Sequence, residues 1–200
     1  MNKYTSFEGF EYESESYEFS ETDKTCLDVL RSEQTFERMR MNIDFQRIRI
    51  EQMTGRDINT LGICNGSGKI TLSKDVVSDF DYLRFVYIHE LTHMYFMNHS
   101  ARFGVLNLVL LARHLKVTAS EAFKNENLNL YSFQDAVIKD SGGRYMTVLD
   151  SGASLGQTCR DSGLNFVEII SLANAMTKSI HSVERIADFL RHEIQPILYS

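Results

Sequence analysis

His89-Glu90-Leu91-Thr92-His93 constrains this chain more than any other stretch, because its spacing acquires a mechanical meaning on a helix. Residues four apart lie one helical turn up on the same face, so His89 and His93 can offer two imidazole nitrogens to one metal ion. Glu90 is turned about 100° from His89, which sets its carboxylate beside such an ion rather than on it. That is where a general base belongs. Zinc lowers the pKa of a bound water to about 7, and a carboxylate within hydrogen-bond reach can take the proton and later hand it to a leaving amine. His99 stands six residues beyond His93. A continuing helix would carry it off the shared face, so the chain must turn first. The helix is expected to end near Met97, with Asn98 in the left-handed conformation that swings His99 back under the ion. Three neutral histidines with a fourth position open make a catalytic zinc site, not a closed structural one. Zn2+ is the expected cofactor, held by His89, His93 and His99, with Glu90 as the catalytic base.

The rest of the composition narrows the class. Two hundred residues suit one domain with at most a small appendage. The longest nearly apolar run, Gly104 to Ala112, is too short to cross a bilayer, and Met1 to Tyr12 carries acidic residues where a signal peptide would be apolar. No membrane role is expected, and the location is read as cytoplasmic. Cys26, Cys64 and Cys159 are odd in number and have no paired spacing, which argues for a reducing compartment. The single proline, Pro196, leaves long helices uninterrupted until the chain is nearly finished. The net charge of -6 is uneven: six glutamates against Lys3 give residues 1 to 21 a charge of -5, leaving -1 for the remainder. A near-neutral body offers no electrostatic reason for tight, sequence-independent nucleic-acid binding. Arg31, Arg38, Arg40, Arg47, Arg49 and Arg56 are interleaved with acidic residues and read as a solvated, paired helix face.

Along the chain, residues 1–22 read as an acidic, aromatic arm, mobile or docked at an edge and not needed for the fold. A helix is expected from Asp23, as cap, to Met41, followed by an alternating strand over Phe45 to Met53. Ile58 to Cys64 and Lys69 to Ser73 flank Asn65-Gly66-Ser67-Gly68 and predict a hairpin. Helices are expected from Ser78 to Met97, with a buried stripe of Leu83, Tyr87, Leu91 and Met94, and from Arg102 to His114. Further helices are expected over Ala119 to Leu128, Phe133 to Ile138, Leu155 to Ser162, Asn165 to Met176 and Ser182 to Ile194, with a loop at Ser141-Gly142-Gly143. His114, His181 and His192 lack partners at metal-binding spacing and read as surface or capping residues.

LGICNGSGKITLS followed by YIHELTHMYFMNHSARF resembles the core of the SprT-like and YgjP-like metallopeptidases, over Leu61 to Phe103, about a fifth of the chain. The resemblance rests on a glycine-rich hairpin leading into a HELxH helix and on the NHS element. It implies a minimal zincin-like domain, a small sheet packed on the active-site helix; with the elements read along the chain the expected fold is α+β, the zincin-like domain over residues 23–125 and a helical C-terminal region over 126–200. It also implies a zinc held by His89, His93 and His99, Glu90 as base, and a protein or peptide substrate, with DNA-associated proteins among the candidates. The histidine spacing is shared with metzincins, but Phe96 stands where their glycine must be. Two weaker patterns lie further on. Cys159, Gly163, Asn165 and Ile169 have helix-turn-helix spacing with little basic charge, and Tyr145 to Asn174 resembles the first half of a LysM glycan-binding module without its closing strand.

The expected function is a zinc-dependent metallopeptidase in which a substrate strand lies along the sheet edge near Lys69 to Ser73 and water activated by Glu90 attacks its carbonyl. The alternative is a non-proteolytic binding protein on a zincin scaffold, acting on a protein or nucleic-acid partner. The intact Glu90 favours the enzyme, since a purely structural metal needs no carboxylate there. Oligomeric state is not readable from the sequence.

Overall fold

The computed structural model of the chain describes residues 1–6, 10–15, 17–42, 47–51, 61–65, 68–77, 79–125 and 166–192. These combine helices with one mixed sheet, the α+β class expected. The chain divides into two compact units, one of Met1–Glu37 and Ile43–Met94, the other of Arg38–Asn42 and Tyr95–Ser200.

The first unit is built on strands β1 (Asn2–Thr5), β2 (Glu11–Ser14), β3 (Arg47–Glu51), β4 (Gly62–Cys64) and β5 (Lys69–Ser73), in the order β1-β2-β3-β5-β4. β2, β3 and β5 run parallel, and β1 and β4 close the two edges antiparallel to their neighbours. Period-two alternation explains β5, where Ile70 and Leu72 are buried between half-buried Lys69 and Thr71. The same alternation explains the outcome at the N-terminus. Residues 2–5 and 11–14 are docked in the sheet rather than mobile: Tyr12 and Ser14 are buried while Glu11 and Glu13 alternate outward, so these glutamates reach water without leaving the sheet. Tyr4 pairs with Tyr12 in register and stacks on it at 5.2 Å, and Lys3 lies 3.4 Å from Glu11 and 3.6 Å from Glu13.

Helix α1 (Glu21–Arg31) starts two residues earlier than the sequence suggests. Its cap is Ser20, whose hydroxyl accepts from the Asp23 backbone while the Asp23 carboxylate accepts from Ser20, a reciprocal capping box with Asp23 inside the helix. Ser32, extended, ends α1 and then accepts from the Thr35 backbone at the head of α2 (Glu33–Met39), so the single expected helix is two. Arg31, expected on a solvated face, is buried under the Phe10 ring at 4.1 Å and donates to the Tyr87 hydroxyl at 3.3 Å. β4 and β5 pair antiparallel, as the expected hairpin requires, with Gly68 at φ 84°; residues 58–60 and 66–67 of that hairpin lie outside the described residues. A short α3 (Lys74–Val77) leads to α4 (Phe80–His93), whose Leu83, Tyr87 and Leu91 are buried and which packs on β4 and β5.

In the second unit, α5 (Ala101–Leu115) is buried along nearly its whole length and packs against α6 (Phe166–Thr177) and α7 (Val183–His192). A further helical run covers 119–125. The Arg113 guanidinium donates to the backbone carbonyls of Met39, Met176, Thr177, Ser179 and His181, satisfying the ends of two helices at once. His114, expected at the surface, is buried, whereas His181 and His192 are exposed. Cys159, Gly163 and Asn165, the loop at 141–143, and the helices expected over 133–138 and 155–162 lie outside the described residues. Among the described residues no helix is long and apolar enough to cross a membrane.

Candidate metal centre

Helix α4 begins at Asp79, whose carboxylate accepts from the Tyr82 backbone at 3.1 Å, rather than at Ser78, which lies outside the described residues. It ends at His93, with the Met94 backbone donating to Leu91, four residues before the expected end at Met97. Residues 94–98 therefore make the turn. Asn98 does not take the left-handed conformation: Arg40 and Lys116 are the described non-glycine residues with positive φ. Instead Asn98 accepts at its carbonyl from Ser100, and the Ser100 hydroxyl accepts from the Phe103 backbone to cap α5. His99, immediately before that cap, rests edge-on against Phe103 at 4.9 Å.

The result brings the three histidines together as the spacing predicts. One ring nitrogen from each of His89, His93 and His99 lies within 4.8 Å of the others. The Nε2 atoms of His89 and His93 are 3.2 Å apart. Two nitrogens bound to one zinc at 2.0–2.1 Å in tetrahedral geometry stand about 3.3 Å apart, so this pair fits such an ion without rearrangement. Burial lowers the pKa of His99, which favours the neutral, lone-pair-bearing ring that ligation requires. All three rings are half-buried.

Glu90 sits on the neighbouring face of α4 and is 5% exposed. Burial pushes its carboxyl up to about 8, opposed by a hydrogen bond from the Cys64 backbone. No ion pair among the described residues compensates it. A carboxyl held in this way gains from a cation beside it, a second way in which the residues suit a bound metal. Gly62, on β4, closes over the same carboxyl: a Cβ there would come within 2.7 Å of the Glu90 side chain.

The strand order corrects one expectation about the cleft. Lys69 to Ser73 is β5, an interior strand, and the edge on this side is β4. Ser73 donates to the Leu61 carbonyl and Asn65 to the Lys69 carbonyl, so alternation turns the backbone groups of Gly62 and Cys64 away from β5, where the Cys64 N–H donates to Glu90. Sequence reasoning missed both residues as parts of the site. The available signal was a glycine at the start of a short strand, which often marks a close approach.

His89 and His93 on α4, His99 beyond the turn and the buried Glu90 together form a candidate metal site. Residues 20–109 match the model of a family described as YgjP-like, metallopeptidase domain; that span contains the Leu61 to Phe103 stretch on which the resemblance rests, together with β3 to β5, α4 and all three histidines. No curated protein and no solved structure matches the chain.

Proposed function

We propose that the chain is a zinc-dependent metallopeptidase, with His89, His93 and His99 holding Zn2+ and Glu90 acting as general base. The observation that carries this reading is the placement of three imidazole nitrogens within 4.8 Å of one another beside a carboxyl buried against the edge strand. When bound, zinc would supply Lewis acidity to water and to a peptide carbonyl. An extended substrate adds a strand along the edge of β4, using the Gly62 backbone groups that β5 does not take, while the Cys64 N–H holds Glu90. Glu90 then takes a proton from the attacking water and delivers it to the departing amine nitrogen. The Cys64 backbone fixes which way the carboxylate points.

The nitrogen-only donor set suits zinc rather than magnesium or calcium, which prefer oxygen. The reading treats the sheet as a zincin-like one and keeps residues 23–125 as the catalytic domain, joined by the two N-terminal strands, with 126–200 as an accompanying helical region. Cys26 and Cys64 are both buried and outside any disulfide, which suits action in the reducing cytoplasm. The test is hydrolysis of a broad panel of peptides and proteins, DNA-bound proteins included, by the zinc-loaded chain before and after chelation. Chelator-sensitive cleavage is the expected result. A panel left intact would favour the binding-protein alternative.

A further inference from the structure

Gly62 is a glycine that its backbone conformation does not demand. Among the described glycines the positive φ belongs to Gly68, not to Gly62. A glycine inside a strand forgoes side-chain packing and costs conformational entropy, so its use at this position is spatial. A Cβ at Gly62 would lie 2.7 Å from Glu90 Cγ, 2.8 Å from Oε1 and 3.0 Å from Cδ. Non-bonded atoms do not hold such separations. Side chains at positions 62 and 64 point to the same face of β4, the face on which α4 packs, while Ile63 points away and is exposed. The Glu90 side chain therefore occupies the volume that a side chain at position 62 would fill, and its carboxyl there accepts from the Cys64 backbone.

We propose that Gly62 is the positioning residue for Glu90: its missing side chain forms the slot that holds the carboxylate against the edge strand, within reach of the Cys64 N–H. The effect on turnover rests on the metallopeptidase reading, whereas the slot is a property of β4 and α4 alone. Any side chain at position 62 displaces the carboxylate. The atoms displaced, Cγ, Cδ and Oε1, belong to a side chain rather than to backbone, so the substitution acts first on the alignment of the base. Misplacing a reacting group by about 1 Å can cost roughly 10²-fold in rate.

The test is Gly62→Ala in the full zinc-loaded chain. Zinc content and KM stay at wild-type values while kcat falls by roughly 10²-fold. In the Glu90→Gln background Gly62→Ala costs nothing further, because the base is already lost. An arm independent of activity reads the Cys64 amide resonance. Gly62→Ala shifts it toward its position in Glu90→Ala, and the shift largely disappears when Gly62→Ala is made in the Glu90→Ala background. If wild type cleaves no substrate, the metallopeptidase reading fails while this resonance still decides the slot. Should Gly62→Ala not fold, recovery of folding in Gly62→Ala/Glu90→Ala supports the slot and continued failure overturns it. An unmoved Cys64 resonance, an unchanged kcat in an active enzyme, or an equal loss in the Glu90→Gln background contradicts the proposal.

Discussion

His89 and His93 face each other across one turn of α4 with their Nε2 atoms 3.2 Å apart, and the chain brings His99 back to them through residues 94–98. Removing one member of the set leaves too few neutral donors for a stable site. Elemental analysis is expected to find one zinc per wild-type chain and none in His93→Ala. Because an ion held by all three histidines would link residues on either side of the turn, chelation is also expected to lower the melting temperature of the wild type. Full stoichiometric zinc in His93→Ala contradicts the ligand assignment.

Tyr12 makes the N-terminal strands part of the first unit's core. It is fully buried, stacks on Tyr4, and its hydroxyl donates to the Leu27 carbonyl at 3.2 Å. Tyr12→Ala is expected to cost about 3–5 kcal/mol in urea denaturation, the range for emptying a buried aromatic site. Tyr12→Phe, which loses only the hydrogen bond, is expected to cost about 1 kcal/mol. Deletion of residues 1–14 should lower the melting temperature by several degrees, and an unchanged melt would return this segment to the status of an arm.

Arg113 holds five backbone carbonyls with one guanidinium, and burial, with the nearby Arg40 charge, lowers its pKa to about 10. A lysine keeps charge but not the planar fork, so it cannot reach the same set of acceptors. Arg113→Lys is expected to destabilise the chain by about 3 kcal/mol, the scale of losing charged hydrogen bonds to buried groups. Equal stability of the two proteins by urea denaturation would contradict this account of the second unit.

Glu184 supplies a pH dependence of known sign. Burial acts to raise its pKa, but hydrogen bonds from its own backbone, Ser182, the Asn42 backbone and Tyr95 outweigh it and hold the carboxyl below its ordinary value of 4.5. The folded state thus binds the proton less readily than the unfolded chain. Its contribution is fully present above the unfolded pKa and is lost as pH falls through the folded one. The stability difference between wild type and Glu184→Gln should be constant near neutrality and shrink in acid. A difference independent of pH, measured by denaturation across that range, contradicts the assignment.

The site was legible because spacing on a helix is a local property: His89, Glu90 and His93 declare themselves, and His99 requires only a turn. How the turn is made was not legible, since α4 ends by its own geometry at His93 and Asn98 plays no left-handed part. The α5 run and the hairpin carried their signals in apolar periodicity and glycine placement. β1 and β2 were hidden by composition, because the alternation of Glu11, Tyr12, Glu13 and Ser14 is a strand signal inside a segment whose charge suggests a tail. Strand order was out of reach for a different reason. Nothing within β4 or β5 states which one lies at the edge, and the Gly62 contact with Glu90 joins residues far apart in sequence.

The most direct test of the central claim is Glu90→Gln, which keeps size and hydrogen-bonding capacity while removing the proton acceptor. Zinc content and peptide hydrolysis are measured on the same preparation. The account predicts wild-type zinc stoichiometry with turnover reduced by roughly 10²-fold or more. Cleavage by zinc-loaded Glu90→Gln at the wild-type rate would contradict it and place the base elsewhere.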